Sequence, residues 1–275
     1  MLSRRTWFHL YQRLTSWRYW VLLGGFVLVF GMMAWHAILH LDASMPVHAL
    51  LLYGFDTDIA KIVMVVLAAL SVVDVFGRDY QLNLLPMLVT RLGYRRYAQE
   101  LLGLVFLSVY LFVMIAGSLI LVGLGLRFSL WTHTSEIETM TNGWLAIQGN
   151  LIGFYFSYMS NLALMMSFYA MLAASLSVVY PNQMMSYLLP SVLWFGCNVF
   201  GIERVLPFFL APNVMLGQGN NITWLFNYFH LPYGQWANLL LPYVYVFVFY
   251  LVIPSVLAFL LKYKVQLYER EGIRL

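Results

Sequence analysis

Long apolar stretches alternate with short polar ones along this chain. A transmembrane helix needs about 20 mostly apolar residues. Six segments come close to this length or exceed it, at residues 19–39, 59–76, 101–126, 151–179, 184–202 and 239–261. The pattern therefore predicts an all-α membrane protein with six transmembrane helices, in a single transmembrane domain that covers residues 1–275.

Composition supports this prediction. Apolar residues make up 62% of the 275 residues, and charged residues only 9%. A soluble domain typically carries about 25% charged residues. So few charges could not cover a surface that faces water, and lipid is the expected solvent for much of the chain. We therefore expect a multi-pass protein of the cytoplasmic membrane, in contact with the bilayer and with no nucleic-acid partner.

Basic residues are distributed unevenly between the predicted spans. The N-terminal segment, the second loop and the C-terminal tail hold four each, whereas the third and fifth loops hold one each. Cytoplasmic loops carry an excess of lysine and arginine. This distribution predicts that both termini lie in the cytoplasm, which agrees with an even number of spans.

Two segments outside the spans are predicted to lie at the membrane surface. In residues 1–18, Trp7, Tyr11 and Leu14 recur at three- to four-residue spacing, with polar residues such as Arg13 between them. That pattern is typical of a basic amphipathic helix in the cytoplasmic interface. Residues 204–238 carry apolar blocks broken by proline and glycine, which predicts short re-entrant or interfacial helices before the last span.

The second loop, residues 77–99, carries the most informative pattern. Pro86 suits the first turn of a helix and Gly93 the residue after its end, so a helix of about two turns is predicted between them. Its outer face is expected to carry apolar side chains with arginines nearby: Leu85, Leu88, Leu92, Arg91, Arg95 and Arg96. Such a surface predicts a docking site for another protein. The alternative is a helix that lies on anionic lipid.

Motifs for catalysis are absent from the sequence. It contains no G-x-x-x-x-G-K-[ST] motif for a P-loop and no H-E-x-x-H motif for a zinc protease. His36 and His40 are four residues apart and share a helix face, a spacing that suits a metal ion. Histidine beside Trp35 also fits a membrane interface. We expect no metal site, no catalytic residue and no cofactor in this chain.

The layout and the second loop together resemble the type-2 ABC transporter permease family. In that family an acidic residue follows the second span, then a coupling helix, then an arginine-containing segment that leads into the third span. Gln99 or Glu100 stands here where the family often has lysine. The resemblance implies an ATPase-coupling role for one set of residues: Asp79, Pro86, Leu88, Arg91, Leu92, Gly93, Tyr94, Arg95 and Arg96.

The resemblance implies half of the membrane part of an exporter that works by alternating access. A second permease subunit, identical or different, would pair with this one, and separate ATP-binding cassette ATPase subunits would bind ATP and Mg²⁺. Uncharged spans rich in Tyr, Phe and Met favour an amphiphilic cargo, peptide or drug-like, at a binding site that the sequence does not assign. The alternatives are a secondary transporter or channel, or an intramembrane enzyme.

Overall fold

The computed structural model describes residues 4–40, 45–56, 58–72, 75, 79, 84–132, 142–178, 188–193, 196 and 235–270. These ranges contain helices and no strand, which confirms the all-α prediction. In chain order the principal helices are α1 (Arg4–Leu14), α2 (Trp17–His40), α3 (Val47–Asp56), α4 (Asp58–Leu70), α5 (Leu85–Leu92), α6 (Tyr94–Gly125), α7 (Gly143–Ile147), α8 (Leu151–Leu176) and α9 (Gln235–Arg270).

Four of these helices are long and apolar enough to cross a membrane. The qualifying segments are Trp17–Leu39 in α2, Tyr94–Gly125 in α6, Leu151–Leu176 in α8 and Leu239–Gln266 in α9. They correspond to the first, third, fourth and sixth predicted spans, so the chain has the helices of a membrane-embedded protein. The fifth predicted span, 184–202, lies largely outside the described residues, as do residues 204–234 of the apolar loop. Six spans therefore stay a prediction.

The second predicted span is only partly correct. The hydrophobic pattern predicts a span at 59–76 and a loop before it, but part of that loop forms α3, in which Val47 and Phe55 are completely buried. Asp56 ends α3 and Asp58 begins α4. Two acidic residues therefore lie at the adjoining ends of α3 and α4. Helix α4 has 13 residues and is not among the helices that are long enough to cross a membrane, so the second span stays a prediction.

Helices α3 and α4 together extend along α2 in the opposite direction. At the start of α2, the Arg18 guanidinium donates a hydrogen bond to the Leu70 carbonyl at the end of α4, at 3.2 Å. Near the end of α3, Phe55 packs on Phe30, with 4.8 Å between the ring centroids. Phe30 lies near the middle of α2. The break between α3 and α4 is therefore about halfway along α2.

Helix α8 lies at the centre of the bundle. Most of its side chains are buried, and α4, α6 and α9 all pack on it. The Tyr110 hydroxyl of α6 is 2.7 Å from the Ser160 hydroxyl of α8. Ser160 is also hydrogen-bonded to the Tyr243 hydroxyl of α9. Hydroxyl pairs of this kind hold membrane helices together where the surroundings are apolar.

Candidate functional site

The predicted short helix of the second loop is present as α5. Proline stands in its first turn, and the Gly93 N–H closes its last turn by donating to the Val89 carbonyl at 2.8 Å. Gly93 has φ 77° and ψ 153°, a conformation that glycine adopts without strain. The Tyr97 N–H then donates to the Gly93 carbonyl at 3.0 Å. One glycine thus joins α5 directly to α6.

The orientation of α5 corrects the expected docking face. Leu85 is 2% exposed, Leu88 is 7% exposed, and both belong to the main hydrophobic core. The prediction that these leucines lie on the outer face is therefore wrong. Burial against the bundle removes their apolar surface from water, which stabilises α5 in its position. The exposed face of α5 instead carries Met87, Thr90 and Arg91.

The residues that follow α5 differ in exposure. Arg95 and Arg96 are exposed, whereas Leu92 and Tyr94 are half-buried. Arg96 lies 3.6 Å from the Glu100 carboxylate, one helical turn further along α6. For Pro86, the backbone belongs to α5 and the side chain lies outside the described residues. We call the exposed set Met87, Thr90, Arg91, Arg95 and Arg96 the basic end of the bundle.

Asp79 has a different position from the one expected of a contact residue. It is buried and accepts a hydrogen bond from the Tyr97 hydroxyl of α6 at 3.1 Å. Its backbone carbonyl accepts a second one from the Leu84 N–H, at 2.9 Å. With Thr6 and His9 it lines a small cavity of about 30 Å³. Through these two hydrogen bonds Asp79 links Leu84, at the start of α5, to Tyr97 of α6.

Helix α1 is two-faced, as the sequence predicts. Trp7 is 57% exposed and Tyr11 is 66% exposed, so its aromatic face is open. On an adjacent side of the helix Thr6 and Leu10 are buried, and α1 packs on α6. Leu14, predicted on the aromatic face, is half-buried at the edge of the core. An open aromatic face suits a helix that lies in the membrane interface.

A hydrogen bond fixes the end of α1 to the bundle. The Arg13 guanidinium donates to the Ser71 carbonyl, just after α4, at 2.6 Å. A hydrogen bond from a charged donor is shorter and stronger than one between neutral groups. The sequence predicts Arg13 on the polar face of α1. In the structure its side chain is half-buried rather than fully exposed to solvent.

A lateral groove of about 1470 Å³ lies between α6 and α9. Among the described residues, its charged lining residues are Arg95, Arg96, Glu100 and Lys262, and most of the others are aromatic or aliphatic, including Phe106, Leu107, Tyr243, Phe247, Tyr250 and Phe259. The Tyr250 hydroxyl donates to the Gln99 carbonyl at 3.3 Å and links the two helices. Sequence reasoning missed this groove, because its walls come from helices that are far apart in the chain.

The histidines considered as metal ligands lie in different environments. His36 is exposed on α2, whereas His48 is buried on α3, with its ring 6.2 Å from that of Trp131. The His40 side chain and Asp42 lie outside the described residues. Among the residues that are described, no group of three His, Cys, Asp or Glu side chains could hold a metal ion. The expectation that the chain binds no metal stays a prediction.

Comparison with known proteins adds no assignment. No protein-family model, no curated protein and no solved structure matches this chain. Any proposal about function therefore rests on helices α1 and α5, on the groove between α6 and α9, and on the sequence resemblance described above.

Proposed function

We propose that this chain is the permease subunit of an ATP-driven exporter of the type-2 ABC transporter kind, with both termini in the cytoplasm. The observation that carries the proposal is the two-sided character of α5. Leu85 and Leu88 hold this short helix to the bundle, while Met87 and Arg91 are exposed on its other face. A helix anchored on one side and exposed on the other can receive force from a separate protein.

The connections of α5 would carry that force into the bundle. Gly93 joins α5 to α6 without an intervening loop, and Asp79 is hydrogen-bonded to Tyr97 of α6. Helix α6 in turn packs along α8 and α9. Movement of α5 would therefore displace α6 relative to the other long helices, which is the kind of movement that alternating access requires.

The partner implied by this arrangement is an ATP-binding cassette ATPase. A chain without a P-loop needs a separate subunit to bind ATP and Mg²⁺. Met87 offers apolar contact surface, and Arg91, Arg95 and Arg96 offer positive charge. Opposite charge on the ATPase would guide docking and fix its register. A second permease subunit completes the proposed transporter, and the proposed cargo is an amphiphilic peptide or drug-like molecule.

The test is co-purification with a soluble P-loop ATPase, followed by ATP turnover in nanodiscs. Arg91→Glu and Met87→Asp should each weaken capture of the ATPase by about 1–3 kcal/mol if the contact is desolvated. Arg127→Glu is the matched control, since it reverses an exposed charge at the opposite end of α6. Unchanged capture and turnover in both α5 variants would refute α5 as the coupling helix.

Orientation is tested separately, with single cysteines in a variant whose Cys197 is replaced by alanine. Thr90→Cys lies at the exposed face of α5, and Leu130→Cys lies at an exposed position five residues after the far end of α6. A membrane-impermeant maleimide should label Leu130→Cys in intact cells and leave Thr90→Cys unlabelled. Labelling of Thr90→Cys alone would reverse the orientation, and an internal ATPase could then not reach α5.

One observation favours the second candidate, a secondary transporter. Broken membrane helices near the midplane are a feature of ion and substrate sites in secondary transporters. The break between α3 and α4, with Asp56 and Asp58 on either side, lies about halfway along α2. Cargo uptake or release driven by a Na⁺ or proton gradient, without any ATPase and abolished by Asp58→Asn, would establish this candidate instead.

A further inference from the structure

The groove between α6 and α9 is long as well as wide. Its lining runs from Tyr94 to Leu107 on α6 and from Tyr243 to Lys262 on α9. At 1.5 Å per residue these stretches are about 20 Å and about 28 Å long. One leaflet of a bilayer, headgroup included, is about 20–22 Å thick. The groove therefore has the length of one extended lipid rather than that of a small polar ligand.

The positive charges in the groove lie toward one end of each helix. Arg95 is in the first turn of α6, and Lys262 is in the C-terminal third of α9. Arg96 is paired with Glu100, 3.6 Å away. In the part of the chain that the structure describes, neither Arg95 nor Lys262 makes a hydrogen bond or an ion pair. Two positive charges are thus available to a ligand in the groove.

The rest of the groove is suited to hydrocarbon. Phe247 and Phe259 are exposed on α9, and Leu107 is half-buried on α6. A basic pocket between membrane helices is a recognised kind of site for anionic lipid headgroups.

We propose that the groove binds one anionic phospholipid of the bilayer. Arg95 and Lys262 hold its phosphate-containing headgroup, and an acyl chain lies along Leu107 and Phe247. This binding requires neither ATP nor the proposed ATPase, so it can succeed or fail independently of the exporter assignment. Since the headgroup site adjoins α5, the lipid would also be in a position to stabilise the turn at Gly93.

The experiment compares phosphatidylglycerol with phosphatidylcholine carrying the same acyl chains, titrated onto delipidated full-length protein and read by native mass spectrometry. Wild type should bind phosphatidylglycerol more tightly. Arg95→Gln combined with Lys262→Gln should weaken its binding about thirtyfold, the loss expected for two basic groups at a membrane surface. Binding of phosphatidylcholine should change little in this variant.

Two further variants separate headgroup from chain. Arg91→Gln removes a charge at the same end of the bundle but outside the groove lining, so it should leave lipid binding unchanged. Leu107→Trp puts a larger side chain into the apolar part and should weaken binding of both lipids.

Each contrary result has a defined meaning. Equal binding of the two lipids by wild type would show non-selective annular lipid and overturn the proposal. So would an equal loss in Arg91→Gln and Arg95→Gln, which would indicate diffuse charge at this end. Displacement of phosphatidylglycerol by millimolar inorganic phosphate would overturn the proposal and show that the groove binds simple anions rather than a lipid. A change of oligomeric state in the groove variants would make the groove an interface between copies.

Discussion

Helices α1 and α5 are both short, amphipathic and packed on α6, and both bury leucine, yet they expose different kinds of surface. Helix α1 exposes large aromatic side chains, Trp7 and Tyr11 among them, and buries Leu10. Helix α5 buries its leucines and exposes Met87 and Arg91. Exposed aromatic rings favour the membrane interface, whereas a polar, basic face favours water or a soluble partner. The two helices are therefore suited to different neighbours.

This difference limits what an amphipathic pattern can reveal. An apolar face must be removed from water, but lipid and protein both achieve this. In α5 the apolar face is buried against the other helices of the bundle, so it cannot also be a docking surface. In α1 only one apolar position, Leu10, is fully buried, and the aromatic face is left for lipid. Each helix has a buried residue next to an exposed one, and substitution of both tests which face of the helix is packed on protein.

The largest effect is expected from Leu88→Asp. The new carboxylate would be buried without a partner, which should cost about 3–5 kcal/mol of stability. Met87→Asp, one residue earlier but exposed, should change stability by no more than about 0.5 kcal/mol. Thermal unfolding of both purified variants in detergent measures the difference. Equal stability of the two variants would mean that α5 does not bury its leucine face.

A smaller loss is expected on α1. Leu10→Ala removes a buried side chain and should destabilise the protein by about 2–5 kcal/mol. Tyr11→Ala, on the open face, should stay within about 0.5 kcal/mol of wild type in detergent. The same unfolding measurement applies, and a flotation assay with liposomes and an isolated α1 peptide tests the aromatic face. If Tyr11→Ala destabilises the protein as strongly as Leu10→Ala, both faces of α1 are packed on protein.

The smallest effect concerns two arginines. Arg13→Gln loses the charged hydrogen bond to the Ser71 carbonyl and should cost about 1–3 kcal/mol. Arg91→Gln removes an exposed charge and should leave stability unchanged within about 0.5 kcal/mol. Differential scanning fluorimetry resolves this contrast. A stable Arg13→Gln variant would show that α1 is held by its apolar contacts alone.

Several features were predictable because they depend on local sequence. The long apolar runs of α2, α6, α8 and α9 satisfy the length requirement of a membrane span by themselves. Pro86 and Gly93 delimit α5 through backbone constraints that act within a few residues. The open aromatic face of α1 also follows from its spacing. These predictions do not require knowledge of which helices are in contact.

Other features depend on contacts between distant segments. Helix α3 lies in a stretch interrupted by acidic residues, and it is stabilised by packing such as that of Phe55 on Phe30. The groove requires α6 and α9 to be neighbours, and the link from Tyr250 to Gln99 joins positions 151 residues apart. No local pattern contains that information. For residues 204–234 the sequence prediction stands alone.

The sequence by itself determined the chemical character of this protein: its apolar helices, the uneven distribution of its basic residues and the boundaries of α5. Hydropathy and backbone restriction act residue by residue, so they can be read in order. Tertiary structure alone decided which way each amphipathic helix faces, because that choice depends on the free energy of packing against a particular neighbour. Leu88 faces the core, and Met87 beside it is left open to solvent or a partner.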